Sequence, residues 1–316
     1  MSQPFASTAD CKPKQSFFTE LADGVFAYTA EGDPNTGVII GDQSVLVFDA
    51  QATPDLAKQV VKDIRRYTAL PVRYLVLSHY HAVRVLGAAA YPEAEVIASR
   101  ITRALIQERG AQDWESELRR FPRLFEGADS ITGLTWPSIL FDQSLTIDLG
   151  NRQVEIMHPG AGHTAGDTVL WLAQDKILFA GDLVENGAAP YCGDAYFSQW
   201  PNTLSILSQL NPEILVPGRG DALMSAMDAQ NAISNTLGFV SRLYHYAQEA
   251  VSNRADLNTA FQHIKKKMDP DYQDWVIYQH CLPFSISRAF DEASGIDQPA
   301  IWDAQRDQSL WNSLCS

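Results

Sequence analysis

The chain has 316 residues, which is long enough for one large layered domain that buries a core without disulfides. Its formal net charge of −14 disfavours nucleic acid and anionic membrane surfaces as partners, since both bind basic protein surfaces. We see no apolar run long enough for a transmembrane helix and no signal-peptide pattern, so we expect a cytoplasmic protein. The four cysteines are scattered without a CxxC pattern, and we expect free thiols.

The N-terminal quarter predicts an irregular arm followed by strands and one helix. Residues 1–17 are polar and form the predicted arm. Strands are predicted at residues 24–28, 36–40 and 44–49. Thr53 and Pro54 are residue types that favour a helix start, and apolar residues follow at helical spacing.

Two histidines follow the next predicted strand, an apolar run at residues 72–77. His79 and His81 are separated by one residue, so in an extended segment both side chains fall on the same side. Paired imidazoles at a strand end favour a zinc or iron site. Two merely hydrogen-bonded histidines remain the alternative at this point.

Further along, we predict a strand at residues 95–98 and a helix that begins after Ser99 and ends at Gly110. Residues 112–137 mix aromatic and charged residues and predict an inserted helix and loop over the site. Strands are then expected at residues 138–149, 152–158, 168–172 and 176–180.

Three later strand ends carry polar side chains. His163 lies in a glycine-rich turn, Asp182 ends a short apolar strand, and Arg219 is flanked by glycines after another strand. Polar residues at successive strand ends are how layered α/β folds assemble active sites. The aromatic loop at residues 183–200 follows Asp182 directly and predicts part of a substrate wall.

The order and spacing of these motifs from Asp49 to Gly220 resemble the metallo-β-lactamase superfamily, the glyoxalase II-like hydrolases. The resemblance implies a four-layer αβ/βα sandwich at residues 18–221. Residues 222–316 read as a helical C-terminal extension packed on that core, with three helices predicted between Ala222 and about Glu292.

The resemblance also implies a ligand set. One metal ion would take His79, His81 and His163, with Asp182 as the carboxylate that bridges two metals in the family. The family motif His-x-His-x-Asp-His reads His79-Tyr80-His81-Ala82-Val83-Arg84 in this chain. Its aspartate is therefore Val83, its third histidine is Arg84, and the last ligand histidine is Arg219, so the second metal site has lost its own ligands.

Guanidinium groups have no lone pair for a metal, so a cation beside Arg84 and Arg219 is not expected. We hypothesise that the two arginines supply the charge of the missing metal, neutralise Asp182 and hold an anionic substrate. A purely structural ion pair is the alternative. Asp49 matches a family position that orients ligand histidines, although a simple turn aspartate is also consistent with its place in the sequence.

Three functions remain open at this stage. The first is a hydrolase with one zinc ion, with Asp182, Arg84 and Arg219 as catalytic residues, acting on an ester, thioester, lactone or amide with an anionic group. The second is a mononuclear iron oxygenase that acts on a thiol or persulfide. The third is a degenerate, non-catalytic member that binds a small anion. Oligomeric state cannot be inferred from the sequence.

Overall fold

The computed structural model describes Phe5 and residues 12–315. Two mixed β-sheets lie face to face, and helices cover the outer face of each. The layers are therefore helix, sheet, sheet, helix, as in the predicted four-layer αβ/βα sandwich, with further helices at the C-terminal end.

The first sheet holds seven strands in chain order. Neighbours are antiparallel from β1 to β4 and parallel from β4 to β7. The strands are β1 (Ser16–Ala22), β2 (Val25–Ala30), β3 (Thr36–Ile40), β4 (Val45–Phe48), β5 (Val72–Val76), β6 (Glu95–Ser99) and β7 (Ile139–Phe141).

The second sheet holds five strands in the order β12-β11-β10-β9-β8. The β11–β12 pair is parallel, and the other pairs are antiparallel. The strands are β8 (Ser144–Asp148), β9 (Gln153–Met157), β10 (Val169–Leu172), β11 (Ile177–Gly181) and β12 (Ile214–Pro217).

In the described part of the chain, eight α-helices lie outside the sheets, with short 3₁₀ turns between some of them. They are α1 (Pro54–Ile64), α2 (Ala82–Val85), α3 (Arg100–Arg120), α4 (Trp200–Gln209), α5 (Ala226–Ser252), α6 (Leu257–Tyr272), α7 (Tyr278–Ala293) and α8 (Ala304–Cys315). The predicted N-caps are confirmed, since the Thr53 side chain accepts from the Leu56 N–H and the Ser99 side chain from the Thr102 N–H.

Several predicted boundaries were wrong. The run at 138–149 is two strands, because the chain crosses from one sheet to the other after Phe141. Helix α3 continues through Gly110 to Arg120, since a glycine lowers helix propensity but does not by itself end a helix. Helix α5 begins at Ala226 rather than 222, because Leu223 forms a β-bridge with Leu215. Helix α8 was not predicted.

The core has three parts, which follow the layers. One lies between the sheets and includes Phe48, Val76 and Phe179. The second packs helices α1 and α3 on the outer face of the first sheet, and the third packs helices α4 to α7 on the second. Most side chains of strands β4, β10 and β11 are buried on both faces, which explains their uninterrupted apolar sequences.

Strand β1 begins at Ser16, inside the predicted arm, and most of the arm lies outside the described residues. Cys192, Cys281 and Cys315 are free thiols, while Cys11 is outside the described part. No helix among the described residues is long and apolar enough to cross a membrane.

Candidate metal centre

The predicted site residues meet at one edge of the sandwich. Asp49 follows β4, His79 and His81 follow β5, Asp182 follows β11, and Arg219 follows β12. Strands β4 and β5 are parallel, as are β11 and β12, so their carboxyl ends lie on the same edge of each sheet. His163 comes from the turn between β9 and β10 at that edge.

Three imidazole nitrogens form a compact cluster. His81 Nδ1 lies 3.1 Å from His79 Nε2 and 3.1 Å from His163 Nε2. The three residues are the group of potential metal ligands found among the described residues, and they are 1 to 2 % exposed. The predicted convergence of His79, His81 and His163 is therefore observed.

The donor set fits a divalent metal ion. A tetrahedral zinc ion with Zn–N bonds of about 2.05 Å holds its ligand nitrogens about 3.3 Å apart, close to the observed spacing. Neutral nitrogen lone pairs repel at this distance unless a cation, either a proton or a metal ion, lies between them. Asp182 Oδ2 is 3.6 Å from His163 Nε2 and 3.8 Å from His79 Nε2, within reach of the same centre.

Two of the histidines are oriented by carboxylates. His79 Nδ1 lies 2.9 Å from Ser78 Oγ, which donates to Asp49 Oδ2 at 2.7 Å. Asp49 Oδ1 also accepts from the Ser78 N–H. Ser78 thus connects the Asp49 carboxylate to His79 Nδ1 by hydrogen bonds, and His79 Nε2 faces the centre of the cluster. Asp49 has φ of 67°, a backbone conformation uncommon for a non-glycine residue.

Asp194 orients the second histidine, and the sequence analysis did not single it out. Its Oδ2 lies 3.1 Å from His81 Nε2, and Arg109 lies 3.5 Å from its other oxygen. Asp194 is in the aromatic loop after Asp182, but no spacing pattern distinguishes its carboxylate from others in the chain. Only the folded loop brings it to His81.

Arg84 occupies the space beside Asp182. Its Nη2 donates to Asp182 Oδ1 and to the Gly218 carbonyl at 2.8 Å, and its Nη1 donates to the Asn35 carbonyl at 2.8 Å. Asp182 therefore turns one oxygen to Arg84 and the other to the histidines. Arg84 is 1 % exposed, so its guanidinium is enclosed by protein.

Arg219 is also buried but is less engaged with Asp182. Its Nη1 donates to the Gly32 carbonyl at 3.0 Å. Its charge acts on Asp182 and on buried Glu185, although neither carboxylate forms a described hydrogen bond to the Arg219 side chain. Contact of either arginine with a substrate stays a prediction.

The electrostatics of the site follow from burial and from these pairs. Burial raises the pKa of Asp182, but Arg84 and the neighbouring imidazoles outweigh it and hold that pKa well below its usual range. Burial lowers the pKa of His163 to about 3 and that of His79 well below normal, so both imidazoles are neutral, as metal ligands must be. Burial also lowers the pKa of His81, but Asp113 and Asp194 reverse this and raise it to about 9, so a metal ion that binds here would displace a proton from His81.

The short helix α2, which carries Arg84, is held by carboxylates from α3. Asp113 accepts from the Ala82 N–H at 2.7 Å, and Glu117 accepts from the Val83 N–H at 2.8 Å. Acidic groups at a helix start satisfy N–H groups that have no partner within the helix. Position 83 is a valine and its side chain is buried in the core, so this position provides no carboxylate to the site.

Residues 188–200, here called the covering segment, close the site. The Tyr191 ring lies 5.7 Å from the His81 ring, and the Trp200 ring lies 6.0 Å from the His163 ring, measured between centroids. This segment is part of the aromatic loop at residues 183–200 that was predicted as a substrate wall. Residues 112–137 form the last part of helix α3 and two 3₁₀ turns, and Asp113 and Glu117 of α3 reach the metal motif.

Comparison with known proteins agrees with the geometry. The family model described as Metallo-beta-lactamase superfamily matches residues 29–219. The type 2 metallo-beta-lactamase of Bacillus cereus is 26% identical over 202 residues, which cover 61% of this chain and 70% of that protein. The corresponding protein of Bacteroides fragilis is 24% identical over 216 residues, covering 64% and 78%.

Solved structures show the same fold. A metallo-beta-lactamase from Pontibacter korlensis superimposes with a TM-score of 0.58 at 23% identity, covering 72% of this chain and 99% of that one. Helices α5 to α8 lie beyond the residues matched by the family model. The matched residues make up more than half of the chain and include every histidine of the cluster, and the chain belongs to the metallo-beta-lactamase superfamily.

Proposed function

We propose that this protein is a hydrolase that uses a single zinc ion, held by His79, His81 and His163 with Asp182 beside them. The observation that carries the proposal is the cluster of three imidazole nitrogens next to a carboxylate whose other oxygen is taken by Arg84. A bound zinc ion would lower the pKa of a coordinated water towards about 7 and polarise the substrate carbonyl.

Asp182 has a defined part in this proposal. Its low pKa makes it a weak base, so its Oδ2 serves to complete the ligand set and to orient a water molecule by accepting a hydrogen bond. Arg84 keeps Asp182 ionised and supplies a positive charge where the family resemblance places the second metal. We therefore assign Arg84 an electrostatic role rather than direct substrate contact.

The substrate class follows from the chemistry of such a centre. Esters, thioesters, lactones and amides all have a carbonyl that a metal-activated water can attack. The relatives are named beta-lactamases, and a β-lactam is a cyclic amide, so it belongs among the compounds to test. An anionic group on the substrate would be attracted by Arg219, for which no salt bridge is described, whereas the charge of Arg84 is already paired with Asp182.

Substrate entry requires the covering segment to move. The three histidines are 1 to 2 % exposed and Asp182 is 5 % exposed, so no carbonyl compound reaches them in this conformation. Because position 83 is valine, the site also lacks the carboxylate that the family motif places there. We expect slower turnover of ordinary family substrates for this reason. A cytoplasmic location stays a prediction.

The deciding experiment measures zinc, iron and manganese by mass spectrometry in protein purified without an affinity tag or added metal. We expect about one zinc ion per chain, retained in His245→Ala and lost in His163→Ala. His245 is a matched control because its side chain is 64% exposed and paired with Glu249, on a helix beyond the site. Hydrolysis of anionic and neutral esters, thioesters, lactones and β-lactams then identifies the substrate.

Other outcomes point elsewhere. One iron ion per chain would favour the oxygenase, because two histidines and one carboxylate, here His79, His81 and Asp182, are the ligand set of such iron enzymes. Oxygen uptake with a thiol or persulfide would then be measured. Protein that neither contains nor takes up metal would contradict the hydrolase.

A further inference from the structure

Helix α7 lies beyond the residues matched by the family model, yet it holds the covering segment in place. Three of its side chains, Ser285, Arg288 and Glu292, follow one another at spacings of three and four residues, so they share one helix face. All three are buried. That face is turned towards residues 192–198.

Each of these side chains binds backbone of the covering segment. Ser285 Oγ accepts from the N–H of Cys192 at 3.1 Å, and Arg288 Nε donates to the carbonyl of Ala195 at 2.8 Å. Glu292 accepts two N–H groups, from Phe197 at 2.9 Å and from Ser198 at 2.8 Å. These bonds satisfy the backbone of an irregular buried loop, which has no sheet or helix to do so.

Arg288 and Glu292 also bind each other. Arg288 Nη2 lies 2.9 Å from Glu292 Oε2, and the side chains are 1% and 5% exposed. Arg288 makes two further bonds, to the carbonyls of Ile296 and Asp297. A buried ion pair whose remaining donors and acceptors are satisfied has one favoured geometry, so it holds the attached loop in one position.

Asp194 lies between the points that α7 holds. Its neighbours are fixed on one side by Ser285 and on the other by Arg288, and the Gly193 carbonyl accepts from Trp302 Nε1 at 2.9 Å. Asp194 in turn reaches His81, with 3.1 Å between Oδ2 and Nε2. Hydrogen bonds from α7 to the backbone on both sides of Asp194, and from Asp194 to His81, thus connect the helix to a histidine of the candidate metal centre.

We infer that Arg288 and Glu292 are positioning residues for the metal centre, which act by holding Asp194 against His81. The inference rests on the proposed metal function and assigns part of the site to the C-terminal extension. Carboxylates that bind the outer nitrogen of a ligand histidine fix its orientation and raise metal affinity. A loop without regular structure needs external support to keep a carboxylate at hydrogen-bonding distance.

The test is a double-mutant cycle on zinc affinity, measured by competition with a chelator. We expect Asp194→Asn to weaken zinc binding about 10–100-fold, and Arg288→Gln to weaken it in the same direction. If Arg288 acts through Asp194, adding Arg288→Gln to Asp194→Asn costs nothing more. Glu292→Gln provides a second variant, should Arg288→Gln fail to fold.

A control separates positioning from general stability. Ile264→Ala empties a fully buried position on α6 and should destabilise the protein while leaving zinc affinity unchanged. The metal-free protein provides an independent readout, the ¹⁵N NMR signals of the His81 imidazole. Asp194 Oδ2 lies 3.1 Å from His81 Nε2, so displacement of Asp194 in Arg288→Gln should shift the Nε2 signal.

The outcomes are distinct. Wild-type zinc affinity in folded Arg288→Gln, or losses that multiply in the double variant, would overturn the inference and leave the proposed function intact. A wild-type protein that binds no zinc would overturn the proposed function. In that case an unchanged His81 signal in Arg288→Gln overturns the inference, and a shifted signal supports it.

Discussion

Arg84 donates a hydrogen bond to Asp182 at the position where the family resemblance places a metal-binding histidine. The two oxygens of Asp182 thereby face different partners, the guanidinium on one side and the imidazole cluster on the other. Because a guanidinium carries a permanent charge, this side of Asp182 is neutralised without a metal ion.

Removal of the Arg84 side chain should lower the unfolding free energy of the protein. Arg84→Ala leaves Asp182 and Asp49 without the buried cation that pairs with them. Breaking a buried ion pair by deleting one partner costs about 3–5 kcal/mol of unfolding free energy, because a charge remains buried and unpaired. Urea denaturation with the metal-free protein measures this loss.

An exposed pair gives the control for Arg84. Arg66 is 66% exposed and pairs with Asp63 on α1, so Arg66→Ala should change the unfolding free energy by about 0–1 kcal/mol. Equal losses in the two variants would contradict a special role for Arg84. Adding Asp182→Asn to Arg84→Ala should recover part of the stability, since one uncompensated charge is then removed.

Gly218 should tolerate no side chain. A Cβ atom there would lie within 3.0 Å of Arg84 Nη2 and closer still to Asp182. We expect Gly218→Ala to separate this pair, to cost about 1–3 kcal/mol of unfolding free energy by overpacking, and to weaken zinc binding.

Gly238 provides the control for the substitution at Gly218. It lies within α5, and its nearest neighbour, the Tyr272 hydroxyl, would be 3.7 Å from a new Cβ, an ordinary contact. Gly238→Ala should stabilise the protein by about 0.5–1 kcal/mol, because alanine favours helix more than glycine does. Thermal or urea unfolding measures the change in unfolding free energy for both substitutions. A loss for Gly218→Ala together with a gain for Gly238→Ala would confirm the geometry at Gly218.

Ser78 should matter for metal affinity although it is not itself a ligand. Ser78→Ala removes the hydroxyl that connects Asp49 to His79 Nδ1, so the imidazole loses its orientation. The expected result is a zinc affinity about 10–100-fold weaker, measured by chelator competition. Ser208→Ala is the control, because it breaks a hydrogen bond between Ser208 on α4 and Gln230 on α5. This variant should bind zinc as the wild type does.

Zinc should stabilise the folded protein by mass action. At free zinc 100 times its dissociation constant, the unfolding free energy rises by about 2.7 kcal/mol if only the folded state binds. His163→Ala should abolish the increase in melting temperature that calorimetry detects. Magnesium should not reproduce it, because this ion prefers oxygen ligands in octahedral geometry. A zinc effect of the same size in His163→Ala would place the binding elsewhere.

Most of the sandwich could be predicted because local sequence patterns indicate its strands and helix starts. Apolar runs marked the strands that precede His79 and Asp182, and the N-caps Thr53 and Ser99 marked helix starts. Some of the errors fell where long-range pairing decides the outcome. The division between β7 and β8 is one example, since it depends on which sheet each strand joins and not on the residues at the break.

The sequence by itself determined the superfamily, the layered fold and the convergence of His79, His81, His163 and Asp182, because strand ends carry the ligands at motif spacing. The resemblance also predicted that Arg84 and Arg219 stand where the family has metal-binding histidines. Tertiary structure alone decided what surrounds them. It buried Arg84 against Asp182, brought Asp194 to His81 and laid α7 on the covering segment. These contacts join residues up to 113 positions apart, and no local pattern encodes pairings over that distance.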